Sequence, residues 1–395
     1  MPWVIAMAAF DERTGPVQKY RIIDLTALIS GPYGTQLLAD QGADVIKVET
    51  ETGDLMRHAS PSRNGMSAAF LLNNRNKRSV VLDLKSEDGK KALDRLIAEA
   101  DVFVQNFRPD AIERMGFGEE YVRSICSDII YVSISGFGES GPYRHKRVYD
   151  PIIQALSGLM YAQGFGETPR MMHTLVPDKL TAMTVAQAIC AALLARETTG
   201  EGDHVRLSML DATVAWNFPD LMLNQCLIGD EASEPITTGI DTTAFATQDG
   251  HLVFFIASDI EWQGFVAAAD QPELALDERF KTLADRMQHL PEMYGIMRNT
   301  VATGTTREWL DRLDEHEVPC APVNSIEGLL KDPQLTHNQL IEEYEHPTAG
   351  RVRYARPAAR FSVHRADDRN PAPELGEHNE EIISETVEGA MEETK

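Results

Sequence analysis

Short apolar runs recur through the first half of the chain, each followed by a helix-length stretch, and this alternation limits the fold more than any other feature. Arg21–Leu25, Asp44–Val48, Val80–Leu84, Asp101–Gln105 and Ile129–Ser135 read as strands. Tyr33–Gln41, closed by Gly42, reads as a helix, as does the stretch from Ser86 to Ala100. Ser86 suits its N-cap, and Glu87 and Asp88 put negative charge in the first turn, where the helix dipole favours it. Strands joined by helices at this spacing form βαβ units and a parallel sheet. Helices are also expected at about 150–163 and 179–198. The fold class is α/β.

The pattern changes near residue 225. Gly229–Gly239 is acidic and without periodicity, as a linker would be. Ala244–Ala257 reads as a hairpin about Gln248-Asp249-Gly250, because Asp-Gly is a strong turn signal. Helices are expected at about 260–270, 291–302 and 306–316, which makes a second, smaller α+β unit. From about 345 the chain is rich in Arg and Pro, and it ends in the acidic stretch Glu380–Lys395.

Charge narrows the partners. Lys plus Arg is 37 against 61 for Asp plus Glu, a net −24. Such a chain is a poor ligand for nucleic acid, which is held by many Lys and Arg contacts, and for anionic membranes. An anionic ligand needs a local basic pocket. Two clusters are candidates beside strands: Asn73–Arg78 and Arg144–Arg147. The four cysteines, Cys126, Cys190, Cys226 and Cys320, lie far apart in sequence, and three sit among apolar neighbours; reduced thiols and a cytoplasmic location are expected. Residues 1–15 read as an extension without the basic start of a signal peptide. The apolar helix near 180–195 contains Thr181, Thr184 and Gln187 and is expected to be too short for a bilayer. His145, His173 and His204 lack metal-ligand spacing, so no metal is expected.

Gly136-Phe137-Gly138-Glu139-Ser140-Gly141 fits G-x-G-x-x-G after a strand. The dinucleotide fingerprint works by aiming a helix N-terminus at a pyrophosphate. Here Pro142 and the polar run Tyr143–Arg147 follow, so a nicotinamide oxidoreductase is the weaker reading. Asp178 has two readings. It is a helix N-cap, or it is a carboxylate nucleophile at a helix start, where the dipole stabilises the anion and N–H groups face a developing oxyanion. Both use the same side chain, and spacing leaves them open.

The order of segments resembles the family III CoA-transferases (the CaiB/BaiF family), which include formyl-CoA transferase, carnitine CoA-transferase and alpha-methylacyl-CoA racemase. The resemblance rests on Asp24-Leu25-Thr26, Ser30-Gly31-Pro32, Leu38–Glu49, Asn76–Ser79, Leu82–Lys85, Asn106–Pro109 and Arg114-Met115-Gly116. It resumes at Ser135–Gly138, Gly141-Pro142, Tyr149-Asp150, Gln154–Leu159, Thr199–Gly202, Leu210-Asp211-Ala212 and Leu375–His378.

That resemblance implies a Rossmann-like large domain with a parallel sheet, formed by residues 1–228 and a returning segment 346–395. A small domain with linkers, 229–345, lies between, and two chains interlock as a homodimer. It implies that Asp178 is the catalytic carboxylate. It also implies that coenzyme A, a substrate and product with no tightly bound cofactor, meets Leu28 by its backbone, Leu82, Lys85, Asn106, Phe107, Arg114, Arg147 and Tyr149, with Lys77 and Arg78 as weaker candidates. Racemases of the superfamily carry a histidine before the aspartate as a second acid/base; Tyr149-Asp150 stands there, so racemization ranks second. Ile29 and Thr50 replace a glutamine and an arginine of formyl-CoA transferase, and its polyglycine loop has no counterpart in 235–260. These departures point to an acid larger than formate or oxalate, such as a dicarboxylate or carnitine-like compound.

Overall fold

The computed structural model describes residues 14–164, 168–229, 244–366 and 370–392. The extension through residue 13, residues 230–239 of the expected linker, residues 235–243 of the loop comparison and the last three residues of the tail lie outside these. The chain forms two compact units, one of Met1–Ala232 with Leu340–Lys395, the other of Ser233–Gln339.

The main sheet of the first unit has six strands among the described residues: β1 Arg21–Asp24, β2 Asp44–Glu49, β3 Lys77–Val81, β4 Val102–Gln105, β5 Ile130–Ser135 and β6 His204–Ser208. They are parallel, in the order β3-β2-β1-β4-β5-β6. β3 starts three residues before the expected run, because the charges of Lys77 and Arg78 are met inside the fold by Asp24 and Asp44. β6 carries His204 and Arg206 at the sheet edge and has no apolar signature that would mark it in the sequence.

Six helices matter here: α1 Ser30–Ala39, α2 Glu87–Ala98, α3 Ala111–Met115, α4 Asp150–Leu156, α5 Val176–Thr199 and α6 Met209–Leu221. Ser86 caps α2, its Oγ accepting from Gly89 N–H at 3.0 Å. The helix expected over 150–163 is two, because Gly158 adopts φ 86° between α4 and Leu159–Gln163. That left-handed conformation suits glycine and ends a helix. Ile23, Ile46, Val80, Phe103 and Tyr131 bury one sheet face with Leu93, Leu96 and Ile97 of α2. Ile22, Val45, Val104 and Val132 bury the other with Leu38 of α1 and Val185, Ile189 and Leu193 of α5. Covering both faces is what lets a parallel sheet be apolar throughout. The expectation that the 180–195 helix is too short for a bilayer is corrected: α5 has 24 residues, long and apolar enough by length and composition alone.

The strand order turns back between β1 and β4. That reversal is the place where doubly wound sheets bind ligands, beyond the carboxyl ends of the strands.

The second unit has an antiparallel sheet of β7 Phe245–Ala246, β8 His251–Phe254 and β9 Cys320–Pro322, with β8 central. Helices α7 Asp259–Ala269, α8 Leu290–Val301 and α9 Thr306–Glu315 complete it. Its core is its own: Phe254, Trp262, Phe265, Phe280 and Trp309. β10 Ile341–His346 pairs with β11 Gly350–Ala355 and groups with the first unit, so the second unit ends at Gln339, short of the 345 expected from the resemblance. The chain ends in α10 Asn379–Glu392. Its Ile382 is buried in the first core, and Glu381 and Glu385 reach Arg78, so much of the acidic tail is an anchored helix.

Candidate active site

The first N–H groups of a helix lack intrahelical acceptors. α5 follows Leu175, whose side chain offers none. Asp150, at the start of α4, supplies one: its Oδ2 accepts from Asp178 N–H at 3.2 Å. The cap of α5 is therefore a carboxylate from another helix, and Asp178, third in α5, is not the N-cap. Asp150 is 3% exposed. Its Oδ1 accepts from Gln154 Nε2 at 2.6 Å, and Gln154 Oε1 accepts from Met172 N–H at 2.9 Å, tying down the approach to α5.

The Asp178 side chain is half-buried and hydrogen-bonded by Ser30, the first residue of α1. Its carboxyl is pushed up to about 6, chiefly by burial and then by the negative charge of Asp150; Lys179 and the Ser30 hydrogen bond pull the other way. A carboxylate held this way is ionised at neutral pH yet less stabilised than one in water. A group poised near the working pH in a partly closed site is matched to nucleophilic or acid–base chemistry.

Ser30 is placed by the loop between β1 and α1. Buried Asp24, at the end of β1, accepts from Thr26 N–H at 2.9 Å, from Thr35 Oγ1 at 2.7 Å and from Lys77 Nζ at 2.9 Å. Lys77 also reaches Pro32 O at 2.8 Å, and Lys47 reaches Thr26 O at 2.8 Å and Asp54 at 3.0 Å. Burial opposes the charge on Asp24, but Lys77, Lys47 and the two threonine hydroxyls hold its carboxyl below the usual range. Burial pulls the Lys77 ammonium down to about 8, even with Asp24 beside it. Gly31 is fitted tightly, since a Cβ there would lie 2.3 Å from Thr26 Cβ.

The candidate CoA residues lie on segments that leave strand carboxyl ends, but their states differ. Leu28 adopts φ 71°, and its N–H is taken by Asp54 Oδ1 at 3.2 Å. Asn106 pairs with the backbone of Ala27 in both directions, at 2.9 and 2.8 Å, so it bridges the segments leaving β1 and β4 and fixes the first loop. The Leu82 side chain is buried in the core, leaving only its backbone for a ligand. Phe107 is partly buried against the same core. Lys85, Arg114 and Arg147 are exposed, and their charged ends make no ion pair among the described residues. Tyr149 is 63% exposed beside Asp150.

The Asn73–Arg78 cluster does not meet a ligand. Arg75 pairs with Asp40, Lys77 with Asp24, and Arg78 with Asp44, Glu381 and Glu385, all from buried positions. In the second cluster Arg144 pairs with Asp110 and Lys146 lies 3.7 Å from the Tyr143 ring centre, leaving Arg147. No helix follows Gly136–Gly141 until Asp150, so the glycine loop lacks the element the dinucleotide fingerprint needs. Ser30 and Asp150, which surround Asp178, had no assigned role in the sequence. Their only signal was membership of the Ser30-Gly31-Pro32 and Tyr149-Asp150 motifs of the resemblance. Among the described residues no cluster of three or more His, Cys, Asp or Glu could hold a metal ion.

The family model of CoA-transferase family III matches residues 17–379. The chain belongs to CoA-transferase family III, and it is a CoA-transferase. The succinyl-CoA:glutarate CoA-transferase of Mus musculus is 34% identical over 387 residues, covering 95% of this chain and 88% of that protein. The formyl-CoA:oxalate CoA-transferase of Streptomyces coelicolor is 33% identical over 382 residues, covering 92% and 93%. A crystal structure of a CAIB/BAIF family protein from Brucella suis matches with TM-score 0.83 at 27% identity, covering 95% of this chain and 100% of that one.

Proposed function

We propose that the protein moves CoA from an acyl-CoA donor to a free carboxylic acid through Asp178. The observation that carries this is the division of labour at the start of α5: Asp150 caps the helix, and the Asp178 carboxylate, perturbed and hydrogen-bonded by Ser30, is left for chemistry. The Asp178 carboxylate attacks the thioester carbonyl; the C–S bond breaks, leaving a mixed anhydride and CoA thiolate. The thiolate then attacks the aspartyl carbonyl, releasing the donor's carboxylate and leaving an aspartyl-CoA thioester. The acceptor carboxylate attacks that thioester, and CoA passes to the acceptor through a second anhydride, restoring Asp178. Each step exchanges one activated acyl bond for another, which covalent catalysis makes possible without losing the thioester's free energy. The scheme requires that water be kept from the anhydrides and that the thiolate stay within reach.

Lys85, Arg114 and Arg147 answer the phosphates of CoA, and Leu28, Leu82, Asn106, Phe107 and Tyr149 line the path of its nucleotide and pantetheine. Relatives named for succinyl-CoA and glutarate support a dicarboxylate as the first acceptor to try, ahead of oxalate. We also propose that the working form is a homodimer in the cytoplasm.

The test is a panel of acyl-CoA donors, succinyl-CoA first, against dicarboxylic and monocarboxylic acids, read by mass spectrometry of the CoA esters. Wild type should form a new CoA ester with at least one acid, and Asp178→Ala should form none while melting as a folded protein. Full turnover by Asp178→Ala would refute the proposal.

A further inference from the structure

A second set of reactive side chains lies on β4, β5 and β6, next to Phe107 of the proposed CoA path but away from Asp178. On β5, Ser133 sits directly opposite Gln105 of β4 and Arg206 of β6. Ser133 Oγ lies 2.8 Å from His204 Nε2, and His204 Nδ1 lies 2.7 Å from Glu119 Oε2. The neighbours fix the proton positions. Phe107 N–H donates to Gln105 Oε1 at 2.9 Å, which turns the Gln105 amide so that its Nε2 donates to Ser133 Oγ at 3.2 Å. A carboxylate only accepts, so His204 Nδ1 carries the hydrogen toward Glu119, and Nε2 is left to accept the Ser133 hydroxyl proton. Burial would raise the Glu119 carboxyl, but hydrogen bonds from His204 and Arg123 and the charge of Arg206 hold it below its usual value, so it stays an anion. This is a nucleophile, a base and an orienting carboxylate in hydrogen-bonded sequence.

Ser133 is 5% exposed. Ser133 lines a cavity of about 250 Å³ whose walls include Phe107, Ile112, Ile134, Glu139 and Arg144. Arg144 pairs with Asp110, yet its Nε is buried with no partner. An unpaired buried guanidinium donor on a cavity wall favours a ligand that brings an acceptor.

We propose that Ser133, His204 and Glu119 form a second acyl-transfer site, which takes a short acyl ester or thioester bearing a negative charge. Ser133 Oγ forms a bond to the acyl carbon as its proton passes to His204 Nε2; the bond to the alcohol or thiol leaving group breaks, and the leaving group takes that proton. Water then attacks the acyl-serine, gives a proton to Nε2, and the proton returns to Ser133 Oγ. The Gln105 amide, held by Phe107 N–H and already donating to Ser133 Oγ, has a second N–H with which to serve the developing oxyanion. The proposal stands apart from Asp178 chemistry.

The test is treatment of the full chain with diisopropyl fluorophosphate, followed by peptide mapping and by the rate of p-nitrophenyl acetate hydrolysis. One adduct on Ser133 is expected, absent in Ser133→Ala. His204→Gln keeps a polar group beside Ser133 but not the base, and labelling should slow about 100-fold, the scale of a lost general base. Glu119→Gln should slow it less, about tenfold. An adduct on another residue, no adduct in wild type, or a wild-type rate in His204→Gln would each overturn the proposal. Should His204→Gln melt early, the wild-type map alone decides, because a hydroxyl in a merely structural network stays unlabelled.

Discussion

An ionised carboxylate at position 178 works against folding. Its pKa rises from 3.8 to about 6 in the folded chain, so the folded state holds the proton more tightly than the unfolded state. Stability therefore falls as pH rises from about 4 to about 6, and the penalty is complete above the folded value, on the order of 2 kcal/mol. Asp178→Asn removes the charge and keeps the shape. It should melt higher than wild type at pH 7, with the gain shrinking toward pH 4, and transfer should drop at least about a thousandfold. A thermal melt at the two pH values checks the first claim. The same titration sets the rate: kcat/KM should rise through about pH 6 and level off above it, because only the anion attacks. Asp150→Asn removes the neighbouring negative charge and should move that limb to lower pH. A limb that stays in place would mean that Asp150 does not act on Asp178. Asp178 was visible in the sequence, but its two readings could be told apart only by Asp150, 28 residues earlier and adjacent only in the fold. The Asn73–Arg78 cluster misled for a related reason. Lys77 and Arg78 look the same in sequence whether they face a ligand or the buried carboxylates of Asp24 and Asp44.

At the scale of elements, the site depends on how α1 leaves β1. Gly31→Ala would force a Cβ against Thr26, whose branched side chain is itself held by Asp24. Displacing the start of α1 should destabilise the protein by about 1–3 kcal/mol. It should reduce kcat more than the melt alone explains, because Ser30 moves with the helix. Asn106→Ala removes both bonds to the Ala27 backbone and should raise the KM for acyl-CoA several-fold, with a stability loss of about 1–3 kcal/mol. Calorimetry and steady-state kinetics separate the two effects. The alternating strands and helices of the sheet were legible because each buries an apolar run on a face that another element covers. β6 was not, since an edge strand carrying His204 and Arg206 has no such run, and its pairing with β5 is set by the fold.

Across the whole molecule, a net charge of −24 repels a polyanion such as CoA, and in the proposed site Lys85, Arg114 and Arg147 would offset that repulsion locally. Charge reversal at Lys85, Arg114 or Arg147 should raise the KM for acyl-CoA about fivefold or more each, and added salt should weaken binding in wild type more than in the variants. The charge and family resemblance gave the ligand class, while the antiparallel pairing of β10 with β11 and the anchoring of α10 by Arg78 came only from the folded chain. The homodimer would give a light-scattering mass of twice 43.9 kDa. In the proposed transfer, CoA is carried covalently on Asp178. Hydroxylamine added during turnover with an acyl-CoA donor, followed by peptide mass mapping, tests it most directly. A hydroxamate on Asp178 is the expected result; continued turnover with that residue unmodified, or an adduct at another carboxylate, would contradict it.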